Sequence, residues 1–91
     1  MSFPVYDKDP NAVLDYAFDW SAWLSESETI SAHDVTVPAG ITLDSSEDTD
    51  DTVTAWLSGG TLGTTYTVVC QITTNQARTD ERSIIIRAKD M

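Results

Sequence analysis

The sequence predicts an all-β domain, a sandwich of antiparallel strands, and two observations lead to this fold class. The first is a period of two in the last third of the chain, where apolar and polar residues alternate over 66–73 and again over 84–88. Such alternation fits half-buried strands and places no single apolar stripe on a helix. The second is composition, because Thr, Ser, Val and Ile dominate where helices would favour Leu, Glu, Lys and Ala.

The beginning of the chain divides into a leader and a first strand. Residues 1–12 contain Pro4 and Pro10, which disfavour regular structure, so the sequence predicts an extended N-terminal arm there. The remaining residues, 13–91, form the predicted sandwich domain. Large apolar side chains alternate with small or acidic ones over 13–24, which predicts a strand with one aromatic-rich face.

Three further strands are predicted in the middle of the chain, each bounded by turn residues. The second strand covers 29–37 and ends at the Pro-Ala-Gly turn of 38–40. A short third strand covers 41–45, and the acidic run 45–51 is predicted to be a solvated loop. Residues 52–57 form the fourth strand, and a glycine-rich turn follows it.

The chain closes with a β-hairpin whose strands flank the polar stretch 75–80. Its apolar face is predicted to lie in the core, through Tyr66, Val68, Cys70, Ile72, Ile84 and Ile86. Tyr66 stands early in its strand and looks like a tyrosine corner, in which the phenol bonds back to the preceding turn. Six to seven short strands favour an immunoglobulin-like (fibronectin-like) β-sandwich, with a five- or six-stranded barrel as the alternative.

The charge is strongly acidic and unevenly distributed. The net charge is −10, and residues 1–60 hold twelve acids but only one base, Lys8. Such a chain repels a phosphate backbone, which argues against nucleic acid as a partner. The bases cluster near the end, at Arg78, Arg82, Arg87 and Lys89, and could meet the acidic half of a neighbouring copy.

No constellation of residues predicts an active site. Cys70 is the single cysteine, and its place in the alternation predicts a buried side chain rather than a reactive thiol. His33 and Asp34 are adjacent on a strand and point to opposite faces, so they form no dyad, and His33 is predicted to be exposed. The acidic run 44–51 lacks the spacing of a calcium loop, although cation binding there stays open. We expect no enzyme, no metal site and no cofactor.

Three tryptophans are candidates for partner binding. Trp20 and Trp23 lie three residues apart, so on a strand one faces the core and the other the edge. An exposed Trp, at position 23 or 56, could anchor a protein or a sugar. No apolar run reaches about eighteen residues, so we expect no membrane association. The N-terminus shows no signal-peptide pattern, so we expect the protein to be made in a cytoplasm.

Two stretches carry a resemblance to a known family. One is KDPNAVLDY at 8–16, which runs into DWSAWL at 19–24; the other begins with WLSGGT at 56–61 and ends with RTDERSI at 78–84. Together they resemble small tailed-bacteriophage proteins described as fiber-tail adaptors, or head–tail structural proteins, over nearly the whole chain. Two positions depart from what the resemblance implies: Val35 stands where Trp is expected, and Ala77 where Gly is expected in the hairpin turn.

The resemblance implies an immunoglobulin-like building block of the virion. Such a protein would lie in the tail or head–tail connector, join neighbouring connector, tail or fiber proteins without catalysis, and occur in several copies in a symmetric assembly. We expect residues 1–12 and the last strand to make its contacts, and removal of residues 2–11 to leave a folded chain that no longer enters particles. The expected contact residues are Phe3, Val5, Tyr6, Trp23, Arg78, Asp80, Glu81 and Arg82. The alternatives are a capsid decoration protein and a carbohydrate- or surface-binding module.

Overall fold

Seven strands form two facing sheets in the computed structural model, which describes residues 4–89. The strands are β1 (Val5–Lys8), β2 (Leu14–Asp19), β3 (Ile30–Thr36), β4 (Ile41–Asp48), β5 (Thr52–Gly59), β6 (Thr65–Thr74) and β7 (Thr79–Ala88). One sheet has the order β1-β7-β6-β3 and the other has the order β2-β5-β4. All neighbouring strands are antiparallel except β1, which pairs with β7 in parallel. The predicted all-β sandwich is therefore confirmed.

Apart from β1, the strand order agrees with an immunoglobulin-like arrangement; the constant type has its first strand in the sheet of the second, fourth and fifth strands, whereas here β1 pairs with β7. In that arrangement the third, sixth and seventh strands share one sheet, and the second, fourth and fifth share the other. Here β3, β6 and β7 are hydrogen-bonded neighbours, and β5 lies between β2 and β4.

The core lies between the inward faces of the two sheets. All six hairpin residues that the alternation assigns to the core are buried, with Val68, Cys70, Ile72 and Ile86 fully inaccessible. The three-stranded sheet supplies Phe18, Val53, Ala55 and Leu57 from its own alternating positions. Burial of Cys70 is thus confirmed, and it raises the pKa of the thiol to about 12.

The first predicted strand is shorter than expected because the chain turns after Asp19. The Asp19 carboxylate accepts a hydrogen bond from the Ser21 amide at 2.8 Å, and the Trp23 amide bonds to the Trp20 carbonyl at 2.9 Å. This turn directs Trp20 into the core, where it is completely buried, and leaves Trp23 half-buried beside it. The expected division of the two indoles between core and edge is confirmed.

Part of the predicted arm belongs to the sandwich. Val5–Lys8 form the strand β1, and the Ile85 amide bonds to the Pro4 carbonyl at 2.8 Å. Lys8 is buried and donates to the carbonyls of Asp9 and Gly59, at 3.0 and 2.8 Å. Burial lowers the pKa of this ammonium group. Loss of residues 2–11 would remove a strand and a buried anchor, so we now expect it to destabilise the domain.

The acidic run is also more ordered than predicted. The strand β4 continues to Asp48, so residues 45–48 of the expected loop at 45–51 pair with β5. A register shift between Leu43 and Ser45 marks a bulge in this strand. Backbone pairing explains why this part of the acidic run is a strand and not a loop. The backbone of β4 hydrogen-bonds to β5, and this pairing does not depend on the polarity of the outward side chains of β4.

The predicted tyrosine corner is confirmed. The Tyr66 phenol oxygen accepts a hydrogen bond from the Thr61 backbone amide at 2.8 Å. The ring packs so closely on the preceding turns that a Cβ added to Gly40 would lie 3.0 Å from it. Tyr66 therefore ties the glycine-rich turn before β6 to the body of the sandwich.

Candidate protein-interaction surfaces

Six side chains meet at one end of the sandwich, where the connection between β2 and β3 approaches the β6–β7 turn. We call this group the arginine–tryptophan cluster; it consists of Trp20, Trp23, Glu28, Arg78, Asp80 and Arg82. Four members, Trp23, Arg78, Asp80 and Arg82, are predicted contact residues. Trp20 is not among them; it is the indole that faces the core. Glu28 is not predicted, because nothing in the local sequence distinguishes a buried carboxylate from an exposed one.

Glu28 is the centre of the cluster's hydrogen bonding. Its side chain is fully buried and accepts hydrogen bonds from Arg78 Nε at 2.9 Å, Thr74 Oγ1 at 2.6 Å and the Ser25 amide at 3.0 Å. Arg78 Nη2 donates to the second carboxylate oxygen, which makes the pair bidentate. These donors, Arg78 foremost, hold the pKa of Glu28 well below its usual range. The pair joins the β2–β3 connection to the β6–β7 turn.

Arg78 also covers Trp23. Its guanidinium carbon lies 4.1 Å from the centroid of the indole ring, within the range of a cation–π contact. The other side of Trp23 packs against the core. Because 42% of the Arg78 side chain is exposed, the stacked pair presents a rigid rim at this end of the domain.

Asp80 and Arg82 point inward from β7 and hold Trp20. The indole Nε1 donates to Asp80 Oδ2 at 2.8 Å, and the Arg82 guanidinium lies 4.8 Å from the indole centroid. Arg82 also donates to the Asp19 carbonyl and lies 3.8 Å from the Asp80 carboxylate.

The strand β7 is an open edge over part of its length. Within residues 4–89, β6 pairs with one side of β7, whereas β1 covers the other side only from Ile85 to Ala88. The stretch 79–84 therefore has one uncovered edge in the described chain. Glu81 lies in this stretch, exposed on the outward face.

The N-terminal contact residues lie on β1, beside the C-terminal part of β7. Val5 is opposite Ile85 and 54% exposed, and Tyr6 is opposite Ile86 and 40% exposed. The Tyr6 ring meets the Tyr16 ring, with centroids 5.3 Å apart, so it also seals the gap between the two sheets. Phe3, the remaining predicted contact residue, lies outside the described residues. The predicted contact residues within the described chain thus form two groups, one at the arginine–tryptophan cluster and the stretch 79–84, the other on β1.

The outward face of the three-stranded sheet carries an exposed indole. Trp56 lies on the central strand β5, opposite Asp15 of β2 and Ser45 of β4, and is 37% exposed. Its chain neighbours Ala55 and Leu57 face the core and are fully buried. Alternation in 52–57 indicates this orientation in the sequence, but only the pairing shows that its cross-strand neighbours are small and polar.

Comparison with known families decides the relationship. A family model described as podophage GP4 fiber-tail adaptor protein gp77 matches residues 8–87. The chain belongs to this family of phage fiber-tail adaptors. The matched residues include the whole of β2 to β6 and all of the arginine–tryptophan cluster. No curated protein sequence matches the chain.

The five bases of this fiber-tail adaptor chain all have partners within the fold. Lys8 is buried against backbone carbonyls, and the other four lie beside carboxylates of the same chain. The pairs are Arg78 with Glu28, Arg82 with Asp80, and both Arg87 and Lys89 with Asp7, the last two at 2.8 and 4.0 Å. These bases therefore offer little net positive charge to the acidic half of a second copy.

The other chemically notable groups of the adaptor serve the fold. Contrary to expectation, His33 is half-buried and joins the two sheets, with Nδ1 2.6 Å from Asp48 Oδ2 and Nε2 2.9 Å from Ser46 Oγ. Among residues 4–89, no three His, Cys, Asp or Glu side chains converge as metal ligands would. The same part of the chain has no helix long and apolar enough to span a membrane.

Proposed function

We propose that this chain is a non-enzymatic structural component of a tailed-phage virion, which joins neighbouring proteins in the tail or head–tail connector. The match of residues 8–87 to the fiber-tail adaptor family carries the proposal. The partners are connector, tail or fiber proteins, and the protein acts in several copies around a symmetry axis. It is made in the host cytoplasm and functions in the particle.

The chemistry of the domain supports a role without catalysis. The one thiol, that of Cys70, is buried and has a raised pKa, so it is a poor nucleophile at neutral pH. Both ring nitrogens of His33 are engaged by Ser46 and Asp48. These groups hold strands together, as a rigid building block requires.

The geometry supports two contact regions along β7. The arginine–tryptophan cluster adjoins the open stretch 79–84, where a partner strand could add to the sheet edge. Farther along, Val5 and Tyr6 expose apolar surface. The contact residues expected from the sequence, including Glu81, are part of this proposal.

Deletion of the gene from the phage that encodes it tests the function. We expect particles that lack fibers or tail components in electron micrographs, and restoration of normal particles when the gene is supplied on a plasmid. Quantitative mass spectrometry of purified particles should find about six to twelve copies, as a ring requires. Hundreds of copies would indicate a decoration protein, and normal fibered particles after deletion would contradict the proposal.

Substitutions at the edge test the contact regions without removing a strand. Val5→Ser and Glu81→Lys change exposed side chains and should leave thermal unfolding nearly unchanged. We expect each to reduce incorporation into particles, with Thr65→Ser, also exposed on the same sheet, as the control. Normal incorporation of both variants would exclude β7 as the contact edge.

A further inference from the structure

The outward face of the three-stranded sheet has the composition of a docking surface. We call it the Trp56 face; its residues are Val13, Asp15, Asp44, Ser45, Glu47 and Trp56, all of them exposed. Pairing places Asp15 and Ser45 directly beside Trp56, and Glu47 opposite Thr54 on the same side. Val13 lies just before β2, two residues before Asp15, and is 55% exposed, so it adds apolar surface at the end of this face.

Trp56 contributes little to the core from this position. The residues on either side of it are fully buried, so the pleat directs the indole away from the interior. With Asp15 and Ser45 as its cross-strand neighbours, 37% of Trp56 remains accessible. A large aromatic side chain at the centre of an exposed face, surrounded by polar groups, is the usual form of an interaction hot spot.

The charge of the face selects the kind of partner. It carries the carboxylates of Asp15, Asp44 and Glu47. The bases Arg78, Arg82, Arg87 and Lys89 pair with other carboxylates, and the buried Lys8 lies within electrostatic range of Asp44 alone among these three. Within the described residues 4–89, the Ser58 hydroxyl is the only group that donates to one of these carboxylates, Asp44, at 3.0 Å. The face therefore attracts cationic groups, and an arginine can stack on the indole while it pairs with a neighbouring carboxylate.

We propose that the Trp56 face docks an arginine- or lysine-bearing segment of another virion protein. The inference rests on the proposed adaptor function and names the chemistry of a second partner, on the sheet that does not contain β7. A second copy of this chain would bring a net charge of −10 and be repelled. A neutral glycan would gain nothing from the surrounding negative charge.

Binding to particles that lack the adaptor tests the proposal. Deletion-mutant particles are mixed with purified protein, and the bound fraction is measured by sedimentation at about 0.1 and about 0.5 M NaCl. We expect Trp56→Ala to weaken binding by about tenfold or more. The triple variant Asp15→Asn, Asp44→Asn, Glu47→Gln should bind more weakly and show a smaller salt dependence.

A matched triple variant controls for net charge. Glu26→Gln, Asp34→Asn, Asp50→Asn removes three carboxylates that lie off this face and accept no side-chain hydrogen bond within residues 4–89, so it should bind like the wild type. Thermal unfolding of every variant confirms that the domain is intact. If the wild-type protein binds and the Trp56-face variants bind equally well, the Trp56 face is not the docking surface, and the proposed adaptor function is unaffected. If wild-type protein does not bind, or binds a glycan array through Trp56 instead, the adaptor proposal fails with it.

Discussion

Arg78 and Glu28 are fifty residues apart in the chain and form a bidentate ion pair whose carboxylate is completely buried. The pair locks the β2–β3 connection to the β6–β7 turn, and its guanidinium also stacks on Trp23. A surface that is to bind a partner gains from such rigidity, because less conformational freedom is lost on binding. The arginine–tryptophan cluster is thus a structural clamp as well as a proposed contact region.

Loss of Arg78 should be far more damaging than loss of another paired arginine. Arg78→Met leaves the buried Glu28 carboxylate without its cation, and we expect the midpoint of thermal unfolding to fall by on the order of 10 °C. Arg87→Met is the control, because the Arg87 and Asp7 side chains remain 50% and 30% exposed, and ion pairs in contact with water contribute little. Equal effects of the two substitutions, measured by circular dichroism, would show that the Glu28 pair is not a clamp.

The same carboxylate predicts a dependence on pH. The folded pKa of Glu28 lies below the ordinary value of 4.5, so its contribution to stability is present at neutral pH and is lost as pH falls below that value. We therefore expect the stability difference between wild type and Glu28→Gln to shrink from about pH 6 to about pH 3. Denaturant unfolding at several pH values measures it, and a constant difference would contradict the assignment.

The tyrosine corner predicts a cost for removing one oxygen atom. Tyr66→Phe deletes the acceptor for the Thr61 amide and keeps the packing of the ring on Gly40. We expect the unfolding midpoint to fall by about 5 °C. Tyr6→Phe is the control, since that phenol is exposed and has no hydrogen bond to the described residues. A similar small change in both variants would argue against the corner as a source of stability.

Replacement of Ala77 in the β6–β7 hairpin turn by glycine should stabilise the domain. Ala77 has φ of 61°, in the left-handed region, and closes a three-residue loop in which Thr74 and Arg78 are the flanking pair. Ala77→Gly relieves the steric cost of the side chain, and we expect a gain of about 0.5–1 kcal/mol in the free energy of unfolding. Ala32→Gly, in the exposed part of β3, should instead destabilise. A loss of stability in Ala77→Gly would refute the argument.

Cys70 should be unreactive until the domain unfolds. It is fully buried between β3 and β7, with Val35 and Arg82 as its cross-strand partners, and its raised pKa keeps the thiol protonated. We expect slow labelling by a disulfide reagent at about pH 8 and rapid labelling in denaturant. Rapid labelling of the native protein would show that the core opens easily.

The sequence by itself determined the class of the fold and most of the core. Alternation depends on neighbours two positions apart, so the buried faces of β6 and β7 follow from Tyr66, Val68, Ile84 and Ile86 without any knowledge of pairing. The strings that resemble the family are likewise present in the chain, and the match over residues 8–87 confirms the family. The left-handed backbone at Ala77 agrees with the glycine that the resemblance led us to expect there. The position of Tyr66 shortly after a glycine-rich turn predicted the tyrosine corner in the same way.

Only the tertiary structure decided which distant groups meet. The insertion of β1 beside β7, the burial of Lys8 and the pairing of Glu28 with Arg78 all join residues about fifty or more positions apart. No local pattern encodes such contacts, because a charged side chain looks the same in sequence whether water or a buried partner compensates it. For the same reason the sequence predicts a free positive edge near the C-terminus, whereas in the fold these four bases share three carboxylates, Glu28, Asp80 and Asp7, which offset most of their charge. The acidic Trp56 face is left to attract a partner.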